Sequence, residues 1–167
     1  MAAGWADEEI KMKKVLIVSL ALIFLAAMAS AQMPATRTTQ ADLSAHLEQL
    51  RAQAKSGEGS ASIKLETYPH HFTMLALRLK SGQGEVHEHW ADFFYVVRGH
   101  ARLLTGGTLV ESHPTSDGEL RGSAVEGGQE TDLTEGDFVH IPAGVPHQLL
   151  IADGVEFVYY IIKIQEN

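Results

Sequence analysis

The chain has 167 residues, 15 of them glycine and none cysteine, and a formal net charge of −8. That length is one domain's worth, enough to bury a sizeable core. The lack of cysteine excludes disulfides, thiolate metal sites and cysteine nucleophiles, and an acidic chain with no Lys/Arg run beyond its N-terminus argues against a nucleic-acid surface.

In chain order, Lys11, Lys13 and Lys14 precede a nearly unbroken apolar run, Val15–Met28, and Ala29-Ser30-Ala31 supplies the small residues a signal peptidase accepts. The pattern predicts a leader over residues 1–31, cleaved after Ala31. The acidic Asp7-Glu8-Glu9 does not belong ahead of a signal peptide, which places the functional start at about Met12. Val15–Ala31 falls short of the about 20 apolar residues that span a bilayer. The expectation is therefore an exported protein, periplasmic or secreted, with no stable membrane association after cleavage; an uncleaved N-terminal anchor is the alternative. Residues 1–31 hold three acids and three bases, so the exported chain keeps its charge.

Residues 32–61 read as a linker and a helix. Leu43, Leu47, Leu50 and Ala54 recur at spacings of four, three and four, which predicts an amphipathic helix over Gln40–Lys55, capped by Thr39 or Asp42 and ended by Ser56-Gly57-Glu58-Gly59-Ser60. Residues 62–167 read as strands between turn residues. Expected strands are Ser62–Thr67, Phe72–Lys80, Glu85–His89, Asp92–Arg98, Ala101–Thr105, Thr108–Ser112, Glu130–Thr134, Asp137–His140, His147–Ile151 and Val155–Ile164. In Phe72–Lys80, Phe72, Met74, Ala76 and Arg78 alternate against Thr73, Leu75, Leu77 and Leu79. The polar, glycine-rich Pro114–Gly128 is expected to be a surface excursion. About ten short strands with closely spaced turns predict an all-β sandwich or barrel.

Two stretches carry the chemistry. His87 and His89 lie two apart, so strand alternation would send both imidazoles to one face and Glu88 to the other. His147 follows a Pro-x-Gly turn at the start of a distant strand. Three such histidines suit a transition metal. Asp92 either completes a four-ligand set or is a turn residue at the start of its strand. Glu85 shares the histidines' face, as a fallback ligand or an acceptor behind one. His140 lines the interior, orients a ligand or is a satisfied core histidine. Trp90, Phe94, Tyr95, Tyr159, Tyr160 and Arg78 are residues that could face a cavity, and alternation alone does not say which. There is no Gly-x-Ser-x-Gly elbow, phosphate-binding loop or dinucleotide fingerprint.

These stretches resemble the two signature motifs of the cupin superfamily. The second fits closely: Gly136, five residues, Pro142, one residue, Gly144, two residues, His147, with Ile151 where the family often has Asn. The first is looser. The family runs roughly Gly, five residues, His-x-His, three or four residues, Glu, six residues, Gly. Here His87-x-His89 and Gly99 fit, but only two residues separate His89 from Asp92. The resemblance covers about Phe72–Ile164 and implies a double-stranded β-helix, a jelly-roll barrel, with one N-terminal helix. It implies a divalent transition metal (Fe, Mn, Ni, Cu or Zn) held by His87, His89, His147 and Asp92, a small-molecule ligand and a homodimer. The expected function is a metal-dependent enzyme of oxygenase, isomerase, decarboxylase or lyase type. The alternatives are a cupin that binds a metal or small ligand without turnover, and a barrel that has lost its metal.

Overall fold

The computed structural model describes residues 35–166, and the leader expected over residues 1–31, with its start at Met12 and cleavage after Ala31, lies outside them. The chain divides into two units, Met1–Arg37 and Thr38–Asn167; the elements below belong to the second. None of the described helices is long and apolar enough to cross a membrane.

Helix α1 spans Gln40–Ser56. Thr39 and Asp42 form a reciprocal capping box: Asp42 N donates to Thr39 Oγ1 at 3.2 Å, and Thr39 N donates to Asp42 Oδ2 at 2.9 Å. That satisfies two groups that a helix start otherwise leaves bare. Leu47, Leu50 and Ala54 bury one face of α1.

Thirteen strands follow: β1 Ser60–Thr67, β2 His71–Arg78, β3 Gly84–His87, β4 Trp90–Arg98, β5 His100–Thr105, β6 Thr108–Val110, β7 His113–Ser116, β8 Glu119–Gly122, β9 Ala124–Glu126, β10 Gln129–Thr134, β11 Phe138–Ile141, β12 His147–Leu150 and β13 Phe157–Gln165. They form a five-stranded sheet, β1-β2-β13-β4-β11, a six-stranded sheet, β10-β5-β12-β3-β8-β7, and the β6-β9 pair. The pairings are antiparallel. The two large sheets face each other as a jelly roll without closing into one continuous hydrogen-bonded barrel.

Alternation explains the two cores. Phe94, Val96, Phe157, Tyr159 and Ile161 from the first sheet meet Leu103, Leu133 and Leu149 from the second, filling the space between them. The other side of β2 and β13, with Leu75, Leu77 and Val158, receives Leu47, Leu50 and Ala54 of α1. A sheet covered on both faces must be apolar on both, hence the run of buried residues in β2. Arg51 fastens α1 to the loop before β13, its Nε and Nη2 each donating to Glu156 at 2.8 Å.

One expectation is corrected. Pro114–Gly128 is no mere excursion: it contains most of β7 together with β8 and β9, and β8 pairs directly with β3. Its polar residues belong there because β8 lines a charged cavity rather than an apolar core.

Candidate metal centre

Between the sheets lies a cavity of about 630 Å³. Its charged residues are set opposite one another by strand register. In the β3–β8 pair Glu85 faces Arg121 and His87 faces Glu119. In β12–β3 His147 faces Glu85, and in β13–β4 Lys163 faces Asp92. Directly opposed residues have their Cβ atoms within about 5.5 Å, so these pairings bring the side chains together.

Each imidazole is fixed by its far nitrogen. His87 Nδ1 lies 2.6 Å from Glu119 Oε2, and His147 Nδ1 lies 3.0 Å from the Val145 carbonyl. Both partners can only accept, so each Nδ1–H donates and each Nε2 of a neutral ring is left with a lone pair. This is the way metal-binding histidines are held. The two Nε2 atoms converge: Asp92 Oδ2 lies 3.5 Å from that of His87 and 3.6 Å from that of His147, and Glu85 Oε2 lies 3.4 Å from His87 Nε2. Glu85, His87 and His147 offer ligand atoms all within 4.8 Å of one another.

These residues fit a divalent ion. His87 Nε2 is buried and makes no hydrogen bond. It and its neighbours bring lone pairs and carboxylate charge to one place, which only a proton or a cation reconciles. Ligands about 2.1 Å from one ion stand about 3.0–3.4 Å apart in octahedral or tetrahedral arrangement, close to the 3.4–3.6 Å found here.

Three cations brace the carboxylates. Arg78 Nη2 lies 3.4 Å from Glu85 Oε1 and Arg121 Nη2 3.8 Å from Glu85 Oε2; Arg121 Nη1 reaches Glu119 Oε2 at 3.2 Å. Lys163 Nζ lies 2.7 Å from Asp92 Oδ1, an ion pair whose angles do not make a hydrogen bond. Burial alone would raise the Glu85 carboxyl, but the His87 ring, Arg121, Arg78 and His147 together bring it down to about 2. Burial depresses the His147 imidazole, against the pull of Val145 and Asp92, which keeps it neutral and able to ligate. Burial also raises the Tyr159 hydroxyl, although Arg78 Nε donates to it at 3.0 Å.

The structure brings together His87, His147 and Asp92 of the expected set and leaves His89 out. β3 ends at His87; residues 88 and 89 form a turn, so alternation stops one residue too soon. His89 is exposed and packs its ring on Gly118, where an added Cβ would come within 2.5 Å of His89 Cδ2. Glu85 stands in its place. Spacing carries this signal: from His87 to Asp92 there are four intervening residues, and six more reach Gly99. Glu85-x-His87 thus sits where the family's His-x-His would, in better register than His87-x-His89. Trp90, Phe94, Tyr159 and Arg78 line the cavity. Tyr95 is 47% exposed, and His140 stacks outside on Phe93 with ring centroids 4.2 Å apart. Glu119, Arg121 and Lys163 escaped the sequence reading. The period-2 pairs Glu119/Arg121 and Ile161/Lys163 are their only trace.

No protein-family model matches the chain, and no curated protein matches its sequence. Solved structures do. The protein TT1209 from Thermus thermophilus is 18% identical, with a TM-score of 0.51 over 72% of this chain and 95% of that one. A recombinant oxalate oxidase in complex with glycolate is 14% identical, with a TM-score of 0.50 over 69% of this chain and 55% of that one. A cupin superfamily protein from Desulfitobacterium hafniense is 16% identical, with a TM-score of 0.44 over 64% and 78%. At such identities the likeness concerns the fold.

Proposed function

We propose that this chain, which has the cupin fold, is an exported metal-dependent enzyme acting on a small molecule. His87, His147, Glu85 and Asp92 would hold one divalent ion. The carrying observation is the convergence of two fixed imidazole Nε2 atoms on carboxylate oxygens at 3.4–3.6 Å. Mixed nitrogen and oxygen donors suit iron, manganese, nickel, copper or zinc. When bound, such an ion supplies Lewis acidity or a redox site. Glu119 and the Val145 carbonyl fix the ring tautomers, and Lys163 holds Asp92 in place. Tyr159 stays protonated beside Arg78 and can donate a hydrogen bond into the cavity. The reading includes a leader over residues 1–31, a cupin domain over residues 62–167 and a homodimer.

A second reading is binding without turnover. It is favoured by one feature: Glu85, Asp92 and Glu119 are each ion-paired to Arg or Lys, which leaves none of these three free as a general base. Turnover of a small-molecule library by metal-loaded protein separates the two.

The primary test is elemental analysis of untagged protein. About one transition-metal ion per chain is expected, reduced to a trace in His87→Ala and His147→Ala and retained in His89→Ala. No metal after reconstitution, or unchanged content in His147→Ala, refutes the site.

A further inference from the structure

The cavity wall is charged beyond what a metal group needs. It carries four cations, Lys64, Arg78, Arg121 and Lys163, against three carboxylates, Glu85, Asp92 and Glu119. Counting Lys, Arg, Asp and Glu alone, that leaves one net positive charge, carried by the exposed Lys64 once the other three cations are set against the carboxylates, in a protein whose total is −8. A divalent ion would raise the local excess to three. Low-dielectric walls focus such a field on whatever enters. Lys163 Nζ sits 2.7 Å from Asp92 Oδ1 without a hydrogen bond, and Arg78 and Arg121 meet Glu85 only at 3.4 and 3.8 Å, so each keeps N–H groups that can turn to a second carboxylate.

The mouth has another character. Phe72 and Trp90 meet edge to face, centroids 5.1 Å apart, and the exposed Lys64 lays its ammonium 4.2 Å above the Phe72 ring. An aromatic wall beside an ammonium, leading to a floor where three cations stand among three carboxylates, suits a molecule apolar at one end and anionic at the other.

We infer that the cavity binds a small carboxylic acid with an apolar body, its carboxylate held among Arg121, Arg78 and Lys163 and its body against Phe72 and Trp90. This deepens the metal reading by naming a ligand class, and it draws on the metal only for added positive charge.

The test is titration calorimetry on the full chain, zinc-loaded and EDTA-treated, with acetate, benzoate and phenylacetate, each compared with its amide. Phenylacetate should bind at least about tenfold tighter than phenylacetamide and than acetate, about 1.4 kcal/mol in each case. The preference over the amide should persist, reduced, without zinc. Arg121→Met should cut phenylacetate affinity about tenfold, and Lys64→Met, at an exposed position, should lower it severalfold. Equal binding of acid and amide, or no binding of any acid, overturns the inference. Zinc bound with no preference for acids sinks this inference and leaves the metal site standing. A preference for acids in a protein that takes up no zinc does the reverse.

Discussion

Replacing Lys163 by Met removes the ammonium that answers Asp92. The pair is 2.7 Å apart, with side chains only 12% and 4% exposed. Breaking one side of a buried pair costs about 3–5 kcal/mol, because the remaining charge stays desolvated. The low end applies here, since the Lys163 side chain keeps 12% of its surface exposed and water can answer part of the charge. A loss of about 3 kcal/mol corresponds to about 10 °C in melting temperature for a domain of this size. The measurement is thermal and urea unfolding of wild type, Lys163→Met and the Asp92→Asn/Lys163→Met double variant, each with EDTA and with excess zinc. In EDTA the single variant should fall by that amount, and the double variant should return to within about 1 kcal/mol of wild type, because removing both partners leaves no orphan charge. Zinc should narrow the gap for the single variant, as the ion takes over the Asp92 charge and binding adds to native-state stability. A single variant that melts with wild type in EDTA refutes the reasoning, as does a double variant at least as unstable as the single one.

Two further outcomes concern the scaffold. The Arg51–Glu156 pair, with side chains 23% and 26% exposed, holds the Glu156 carboxyl below its ordinary value of 4.5, chiefly through the hydrogen bonds from Arg51 and despite burial. A depressed carboxyl contributes stability that is present above 4.5 and lost as pH falls through the lower folded value. Glu156→Gln should therefore cost about 1 kcal/mol at pH 7, and its gap from wild type should shrink between pH 5 and pH 3 in urea titrations; a constant gap contradicts the pairing. Gly99 has φ 85 and a Cβ there would come within 2.2 Å of the Glu156 carbonyl, whereas Gly154 has φ 79 and nothing within 4 Å. Gly99→Ala should lose at least about 2 kcal/mol and Gly154→Ala about 1 kcal/mol; equal melting temperatures for the two variants would rule out the clash.

Much of the architecture was legible because it is local. The helix face of Leu47, Leu50 and Ala54 and the alternation of Phe72, Met74, Ala76 and Arg78 against Leu75 and Leu77 are patterns of 3.6 and 2 residues that a chain carries by itself. The alternation did not say which face of β2 looks inward; packing α1 on Leu75 and Leu77 decided that. The first motif shows the same limit. Period-2 alternation pairs residues only while the strand lasts, and β3 ends at His87, so His89 turns out to solvent and Glu85, one step earlier on the same face, joins His87.

By itself, then, the sequence pointed through composition and period to an all-β sandwich or barrel with one amphipathic helix, and its resemblance to the cupin motifs implied the jelly roll and proposed His87, His89, His147 and Asp92 as one site. Tertiary structure alone decided the rest: that β8, drawn from a glycine-rich stretch, pairs with β3 and sets Glu119 on His87 and Arg121 on Glu85, and that β13 sets Lys163 against Asp92. Those partners lie 32, 36 and 71 positions apart in the chain. No local periodicity reaches that far; only the register between strands does.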